Sequence, residues 1–290
     1  MRRYYDRWFL ESSSYKMFVI KVILVIICAT VTFGETINGD EGYTAERIIG
    51  GKLSKISKYP YTVAVYVDGY LNGAGAILNN QWVIGSGFSV STADSAANVT
   101  VRVASNGAYK GGLVKQVKRF VVHPKLRGWD HDMALLQFKT PLKRNTRNAK
   151  SIQLGSHLPK SGQKTICTGY GSRQNESTPG IELVFDGLFK EIELPYMPYK
   201  ECVKYHNATL FFTKNNFCTK TEYLSSPYAR DFGGPLVYKK KLIGLFAGAP
   251  RCSGVIKPAV YADVTREHKW INSTIKKYSH LQNLEIAEYE

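Results

Sequence analysis

The sequence predicts an all-β protein that ends in a helix. Three observations carry this. Tyr59–Val67 is dense in β-branched and aromatic side chains, and similar runs recur at Gly75–Leu78, Gln81–Ile84, Asn98–Val103, Val117–Val122 and Met133–Phe138, the composition suited to a pleated, half-buried surface. Glycine, asparagine, serine or proline signals break these runs after a few residues, a rhythm shared by antiparallel barrels and sandwiches, between which it does not choose. An amphipathic helical pattern follows at Thr265–Tyr278, around Trp270 and Ile271. Residues 279–290, with Glu285, Glu288 and Glu290, read as a loose tail. No internal repeat or low-complexity linker interrupts the chain.

A length of 290 residues with 44% hydrophobic content allows one large or two modest domains with a packed core. The formal net charge is +16; residues 1–47 carry six basic and six acidic side chains, so the whole excess falls on residues 48–290. That balance favours acidic partners such as anionic polysaccharide, acidic protein, anionic membrane or nucleic acid. It concentrates in residues 110–150, where eleven basic side chains face only Asp130 and Asp132, either as a solvated edge or as an anion-binding surface.

Residues 1–34 read as a secretory signal. Basic residues (Arg2, Arg3, Arg7, Lys16) precede an apolar stretch from Met17 to Phe33 broken only by Lys21, and Thr32 and Gly34 suit cleavage before Glu35. Met17 is an alternative start. A membrane anchor needs about 20 apolar residues, more than Lys21 leaves. Secretion agrees with the sequons at Asn98, Asn175, Asn207 and Asn272 and with the cysteines left after Cys28 departs, namely Cys167, Cys202, Cys218 and Cys252.

The chemistry centres on Arg230-Asp231-Phe232-Gly233-Gly234-Pro235-Leu236-Val237. Read alone, it is a glycine turn before a strand. It resembles the nucleophile loop G-D-S-G-G-P-L-V of the trypsin/chymotrypsin serine protease family, with Phe232 at the serine and Arg230 at the first glycine, whose amide helps build the oxyanion hole. Other segments match the family in order. Arg47-Ile48-Ile49-Gly50-Gly51 is similar to its activation site; the resemblance implies that cleavage after Arg47 would free an Ile48 ammonium to pair with Asp231. Trp82–Val90 resembles W-V-L-T-A-A-H-C-V, with Phe88 at the general-base histidine and Ser89 at the cysteine, whose partner position holds Gly73. Asp130–Leu136 resembles D-N-D-I-A-L-L and places Asp132 at the triad aspartate. His131 precedes Asp132 by one residue, so an extended backbone would turn it away from any rescue as a base.

Thr168-Gly169-Tyr170-Gly171 resembles S-G-W-G at the opening of the second barrel, and the flanks of Cys202 and Cys218 resemble a loop that the family closes with a disulfide. Cys167 and Cys252 lack their family partners and could be free, paired with each other or bridged to another chain. Around the specificity pocket the resemblance places Ser226 at the floor and Ala259 at a wall glycine. The run Leu245-Phe246-Ala247-Gly248 covers the family's V-S-W-G, with Ala247 for the serine and Gly248 for the tryptophan. The glutamates of the family's calcium loop are missing.

The resemblance spans about residues 48–275 and implies two packed six-stranded antiparallel β-barrels with a C-terminal helix. Its segments would be a signal (1–34), a short propeptide (35–47), barrel one (48–150), barrel two (151–264), the helix (265–278) and the tail (279–290). Phenylalanine offers neither lone pair nor transferable proton. In this chemistry, loss of either nucleophile or base costs about 10⁶ in turnover. The expectation is a secreted, non-catalytic homologue that acts by binding an extracellular protein: a protease, an inhibitor or one of their substrates. Two alternatives stand beside it: an anionic-polysaccharide-binding effector, and a hydrolase with a nucleophile relocated to Ser86 or Ser89. No cofactor or nucleic acid is expected. The six histidines show no metal-ligand spacing, so no metal is expected either.

Overall fold

The computed structural model describes residues 51–143, 148–171, 173–174, 183–206, 211–221, 226–227, 230–249, 251–252 and 255–287. The signal, Arg47, Ile48, Asn175 and Asn207 lie outside these residues. The chain divides into two units, Ala45–Pro250 with Lys257–Glu290, and Met1–Thr44 with Arg251–Ile256. Both barrels belong to the first.

The strands are β1 (Lys52–Leu53), β2 (Thr62–Val67), β3 (Tyr70–Ile77), β4 (Trp82–Gly85), β5 (Val99–Val103), β6 (Leu113–Val122), β7 (Ala134–Phe138), β8 (Gln153–Leu154) and β9 (Lys164–Gly169), then β10 (Arg173–Gln174), β11 (Leu183–Val184), β12 (Lys190–Met197), β13 (Asn216–Thr219), β14 (Pro235–Tyr238), β15 (Lys241–Gly248), β16 (Arg251–Cys252), β17 (Val255–Ile256) and β18 (Ala259–Asp263). The helices are α1 (Gly87–Val90), α2 (Tyr199–His206) and α3 (His268–Ala287). Strands β2-β3-β4-β7-β6-β5 close the first barrel. The second runs β9-β14-β15-β18-β13-β12 and closes because β12 also pairs with β9, Ile192 opposite Cys167. Strands β10 and β11, and β16 and β17, pair as two further two-stranded ribbons.

Strand β2 shows why the apolar runs are continuous rather than alternating. All six of its residues are buried. Val63, Val65 and Val67 point into barrel one with Val83, Val101 and Leu136. Ala64 and Tyr66 point the other way, into a core shared with Trp82, Leu245 and Ile271. Successive side chains of a strand face opposite sides, so a strand with one face in the barrel and one against its neighbour is apolar at every position. Thr62 and Thr168 join the two barrels by a buried hydroxyl pair at 2.8 Å.

Sequence boundaries fell short where strands leave the core. Strand β3 starts at Tyr70 rather than Gly75 and β6 at Leu113 rather than Val117. Strand β6 opens with exposed Leu113 and Val114 followed by Lys115 and Gln116, and β3 opens with exposed Tyr70 and with Asn72 and Gly73, which hide the pattern although Leu71 and Ala74 are buried. The helix also corrects the expectation. After a single 3₁₀ turn, Val264–Arg266, whose cap is the Asp263 carboxylate accepting from Thr265 N–H at 2.9 Å, α3 runs on to Ala287. Residues 279–287 are therefore helical, not tail. Leu281 and Leu284 continue the spacing from Tyr278 in the sequence, a signal that reading a tail there passes over. Trp270, Ile271, Ile275 and Tyr278 seat the helix on the shared core. Among the described residues no helix is long and apolar enough to cross a membrane.

The expected disulfide is present. Cys202 on α2 and Cys218 on β13 are bonded, with Cα atoms 5.9 Å apart. Cys167 is a buried free thiol, and burial, followed by the nearby Asp231 charge, pushes its pKa far up. The Cys252 side chain lies outside the described ones. Closing the loop between residues 202 and 218 is worth about 3 kcal/mol on the chain-entropy estimate. A Cys202→Ser/Cys218→Ser double variant should lose about that much stability in urea unfolding. Peptide maps of native protein should recover 202 linked to 218, with Cys167 alkylated only after denaturation. Recovery of Cys202 joined to Cys167 would refute the pairing.

Candidate functional site

The site forms where α1 and the turn before β7 meet. Asp132 is 1% exposed, and its carboxylate needs donors there. It accepts from Phe88 N–H at 2.7 Å and from the Ser86 hydroxyl at 3.0 and 2.9 Å to its two oxygens. Burial pushes its pKa up to about 7, against the pull of the Phe88 amide, the Ser86 hydroxyl and the Gly87 amide. Ser86 also caps α1 by accepting from Ser89 N–H at 3.1 Å. It is itself 1% exposed, so the Ser86–Asp132 pair has no access to a substrate. Ser89 is buried too, its hydroxyl donating to the Asn72 carbonyl. Neither serine is placed as an accessible nucleophile.

Phe88, Asp132 and Phe232, distant in sequence, converge. The Phe88 and Phe232 rings meet edge-on with centroids 5.8 Å apart. Phe232 stacks on Phe246 at 5.8 Å, and the series continues through Tyr261, Phe217 and Tyr196 at 5.7, 5.7 and 5.2 Å. An aromatic column thus runs from half-exposed Phe88 into the core of barrel two. Such ring pairs add about 0.5–1.5 kcal/mol each beyond burial.

The glycine-rich loop keeps its tight geometry. The Phe232 carbonyl accepts from Ala74 N–H at 2.8 Å. A Cβ on Gly73 would sit 2.5 Å from that carbonyl and 3.4 Å from the Ser89 Cβ. Gly73 and Ser89 therefore lie within a disulfide's Cβ spacing, but the carbonyl forbids a side chain at 73. Arg230 adopts a left-handed φ of 71°, where glycine is the unstrained residue. Its guanidinium lies 4.0 Å over Phe185 and reaches the Tyr109 hydroxyl at 3.3 Å.

Asp231 is 1% exposed and accepts from Gly171 N–H at 2.8 Å. A Cβ at Gly169 or Gly171 would come within 2.2 Å of its carboxylate, so only glycine fits at either position. The carbonyl of the same glycine also faces a charge: Lys190, 0% exposed, donates to the Gly171 carbonyl at 2.9 Å and pairs with Asp186 at 2.5 Å. Nothing in the sequence marked Lys190, a lysine at the start of an ordinary strand.

The pocket positions Ser226, Ala247, Gly248 and Ala259 are all buried. Ser226 donates its hydroxyl to the Pro227 carbonyl. A Cβ on Gly248 would lie 2.6 Å from Trp129 Nε1, so an indole from the first barrel covers the backbone there. Asn98 pairs with Asp68 on the surface, and Asn272 is exposed on α3.

Sequence spacing concealed a second cluster. His123 follows β6, His131 precedes β7 and Glu267 precedes α3. Their rings and carboxylate meet, with His123 Nε2 at 3.1 Å from Glu267 Oε2 and His131 Nδ1 at 2.9 Å from Oε1. The imidazoles stack at 4.4 Å, 3° from parallel. The His123 hydrogen bond is the main reason that the Glu267 pKa is lowered, against its burial. His131 is thus directed to Glu267, away from Asp132. Only contacts between separate loops create the group, so no local motif could have revealed it.

The family model described as Trypsin matches residues 48–271. The chain belongs to the trypsin family. It is 23% identical to trypsin theta of Drosophila melanogaster over 261 residues, covering 87% of this chain and 97% of that protein. It is 26% identical to a trypsin of Phaedon cochleariae over 266 residues, covering 88% and 98%. Among solved structures it resembles the scabies mite inactivated protease paralogue S-D1 (TM-score 0.68, 24% identity, 79% of this chain and 98% of that one). It also resembles mouse neuropsin (TM-score 0.66, 22% identity, 78% and 98%). Both share the trypsin fold.

Asp132 gives this trypsin-family site a pH signature. Its value of about 7 in the folded protein exceeds the ordinary aspartate value expected in the unfolded chain. The folded state therefore holds the proton more tightly, and the contribution is full below the unfolded value and lost as pH rises toward 7. An Asp132→Asn variant lacks that loss. Its urea midpoint should gain on wild type between about pH 4 and pH 8, at up to about 1.4 kcal/mol per pH unit. A difference constant across that range would refute the assignment.

Proposed function

We propose that this chain is a catalytically inactive member of the trypsin family that acts outside the cell by binding a protein partner. The carrying observation is the Phe88–Phe232 ring pair, 5.8 Å apart, where the family resemblance puts base and nucleophile. Neither ring can accept or donate the proton that acyl transfer requires. Arg230 at the oxyanion position, the Ser86 hydroxyl on Asp132 and the Trp129 indole over Gly248 support the same reading. The mite paralogue of the same fold is itself described as inactivated. Secretion rests on the signal-like residues 1–34, the Cys202–Cys218 bridge and the sequons. Arg47, Ile48 and Asp231 remain the candidate activation set, in which cleavage would order a binding surface rather than a catalytic one.

A second reading, binding of anionic polysaccharide, is favoured by the +16 charge and by exposed Lys118, Lys125, Arg127 and Lys139. Salt-dependent retention on heparin separates it from the first, since counterion release makes such binding fall steeply with salt.

Purified protein should hydrolyse no member of a broad peptide library and should take no fluorophosphonate label. A Phe88→His/Phe232→Ser double reversion should stay at least about 10³-fold below an active trypsin, because one oxyanion donor alone is worth about 10²–10³ and Arg230 and Trp129 remain. Robust, inhibitor-sensitive turnover by the wild type would overturn the proposal.

A further inference from the structure

We propose that His123, His131 and Glu267 form a binding site for a single divalent transition-metal ion of the zinc class. The site lies apart from the Phe88–Phe232 region and does not depend on the function proposed above. The three residues offer one ligand atom each, all within 4.8 Å of one another. Two imidazole nitrogens and one carboxylate oxygen are a donor set that suits zinc, with a fourth position left to water. Calcium and magnesium prefer oxygen alone. The other cysteine–histidine group, Cys202, His206 and Cys218, is spent, because its sulfurs are bonded to each other.

The surroundings preorganise the ligands. His123 is 4% and His131 8% exposed. Trp270 meets the His123 ring edge-on at 4.5 Å, and the two imidazoles hold each other in a stack. Tetrahedral zinc needs ligand atoms about 3.3 Å apart, from bond lengths near 2 Å. The nitrogen–carboxylate distances of 3.1 Å to Oε2 and 2.9 Å to Oε1 are near that value. Each nitrogen stands against its own oxygen, so the carboxylate must turn one oxygen toward the ion and the rings must tilt out of parallel so that both lone pairs aim at one point.

The protons can be followed. Without an ion, Lys125 N–H reaches His123 Nδ1 at 3.2 Å and the Asn215 amide reaches His131 Nε2 at 3.1 Å. The far nitrogens are therefore acceptors. The near nitrogen of His123 gives its hydrogen to Glu267, whereas His131 Nδ1, 2.9 Å from Oε1, is buried without a hydrogen-bond partner among the described residues, a polar atom left open to an ion. An ion at the near nitrogens requires these to give up their hydrogens, each ring then carrying its proton on the far nitrogen. On His131 the moved proton faces the Asp130 carboxylate, 3.8 Å from Nε2, the kind of outer carboxylate that orients metal-bound histidines. The move gives up the Lys125 contact on His123 and the Asn215 contact on His131, which is the cost of binding. The ion would tie barrel one to the start of α3.

The test is titration of the full-length protein with Zn²⁺ alone, followed by calorimetry and thermal unfolding, for the wild type, Glu267→Gln and His131→Asn. The proposal expects one ion per chain and a midpoint that rises with Zn²⁺ in the wild type. It expects at least tenfold weaker binding in each variant, with the rise abolished. Absence of a stoichiometric site in the wild type would overturn it, as would equal affinity in all three, which would place the ion on other histidines. Should a variant fail to fold, Co²⁺ bound to the wild type decides. Intense visible bands of a four- or five-coordinate ion without thiolate charge transfer support the site. The weak bands of a six-coordinate ion, or a thiolate band, refute it.

Discussion

A buried carboxylate must be answered by donors whether or not it takes part in chemistry. Asp132 is the case on which the site turns. Leaving such a group unpaired in the interior would cost several kcal/mol. The Ser86 hydroxyl and the Phe88 amide meet that demand, so α1 keeps its position beside β7 although Phe88 itself offers the carboxylate only its backbone. Retention of the aspartate and its cradle is a requirement of packing, and on its own it is no sign of activity.

The same logic governs the loop around Phe232. Its carbonyl, the amide of Ala74 and the bare Cα of Gly73 fit together without room for another atom. Asp231 presses on Gly169 and Gly171 in the same way. Once these backbone contacts are fixed, the side chain at 232 is free to change character. Here it joins the aromatic column of barrel two through Phe246. Apolar rings thus stand on a frame of close backbone contacts.

What was legible in the sequence follows from how local each signal is. The β-branched runs, the glycine loop, the Asp132 segment and the flanks of Cys202 and Cys218 are short stretches, and the fold assembled them as the family resemblance implied. The first residues of β6 were not legible, because exposed Leu113 and Val114 and polar Lys115 and Gln116 give no periodic pattern. The indole of Trp129 over Gly248, the Lys190–Asp186 pair and the His123–His131–Glu267 group were hidden for another reason. Each joins residues far apart in the chain, and only closure of the barrels brings them within reach. His131 illustrates the limit well. Its place one residue before Asp132 predicted that it would turn away from that carboxylate, and it does, but the backbone there is left-handed (φ 51°) rather than extended and the partner it turns to, Glu267, had no local signal.

Gly73 on β3 and Ser89 on α1 mark a place where the strand and the helix are joined without sulfur. Asn72 donates its side-chain amide to the Ser89 carbonyl, and the Ser89 hydroxyl donates back to the Asn72 carbonyl at 3.0 Å. Two reciprocal hydrogen bonds thus span the gap a covalent crosslink would span. Among the described residues the one disulfide lies in barrel two. The two halves of the molecule therefore answer differently to redox conditions: a reducing environment would loosen the α2–β13 connection, while the face that carries Phe88 would keep its shape.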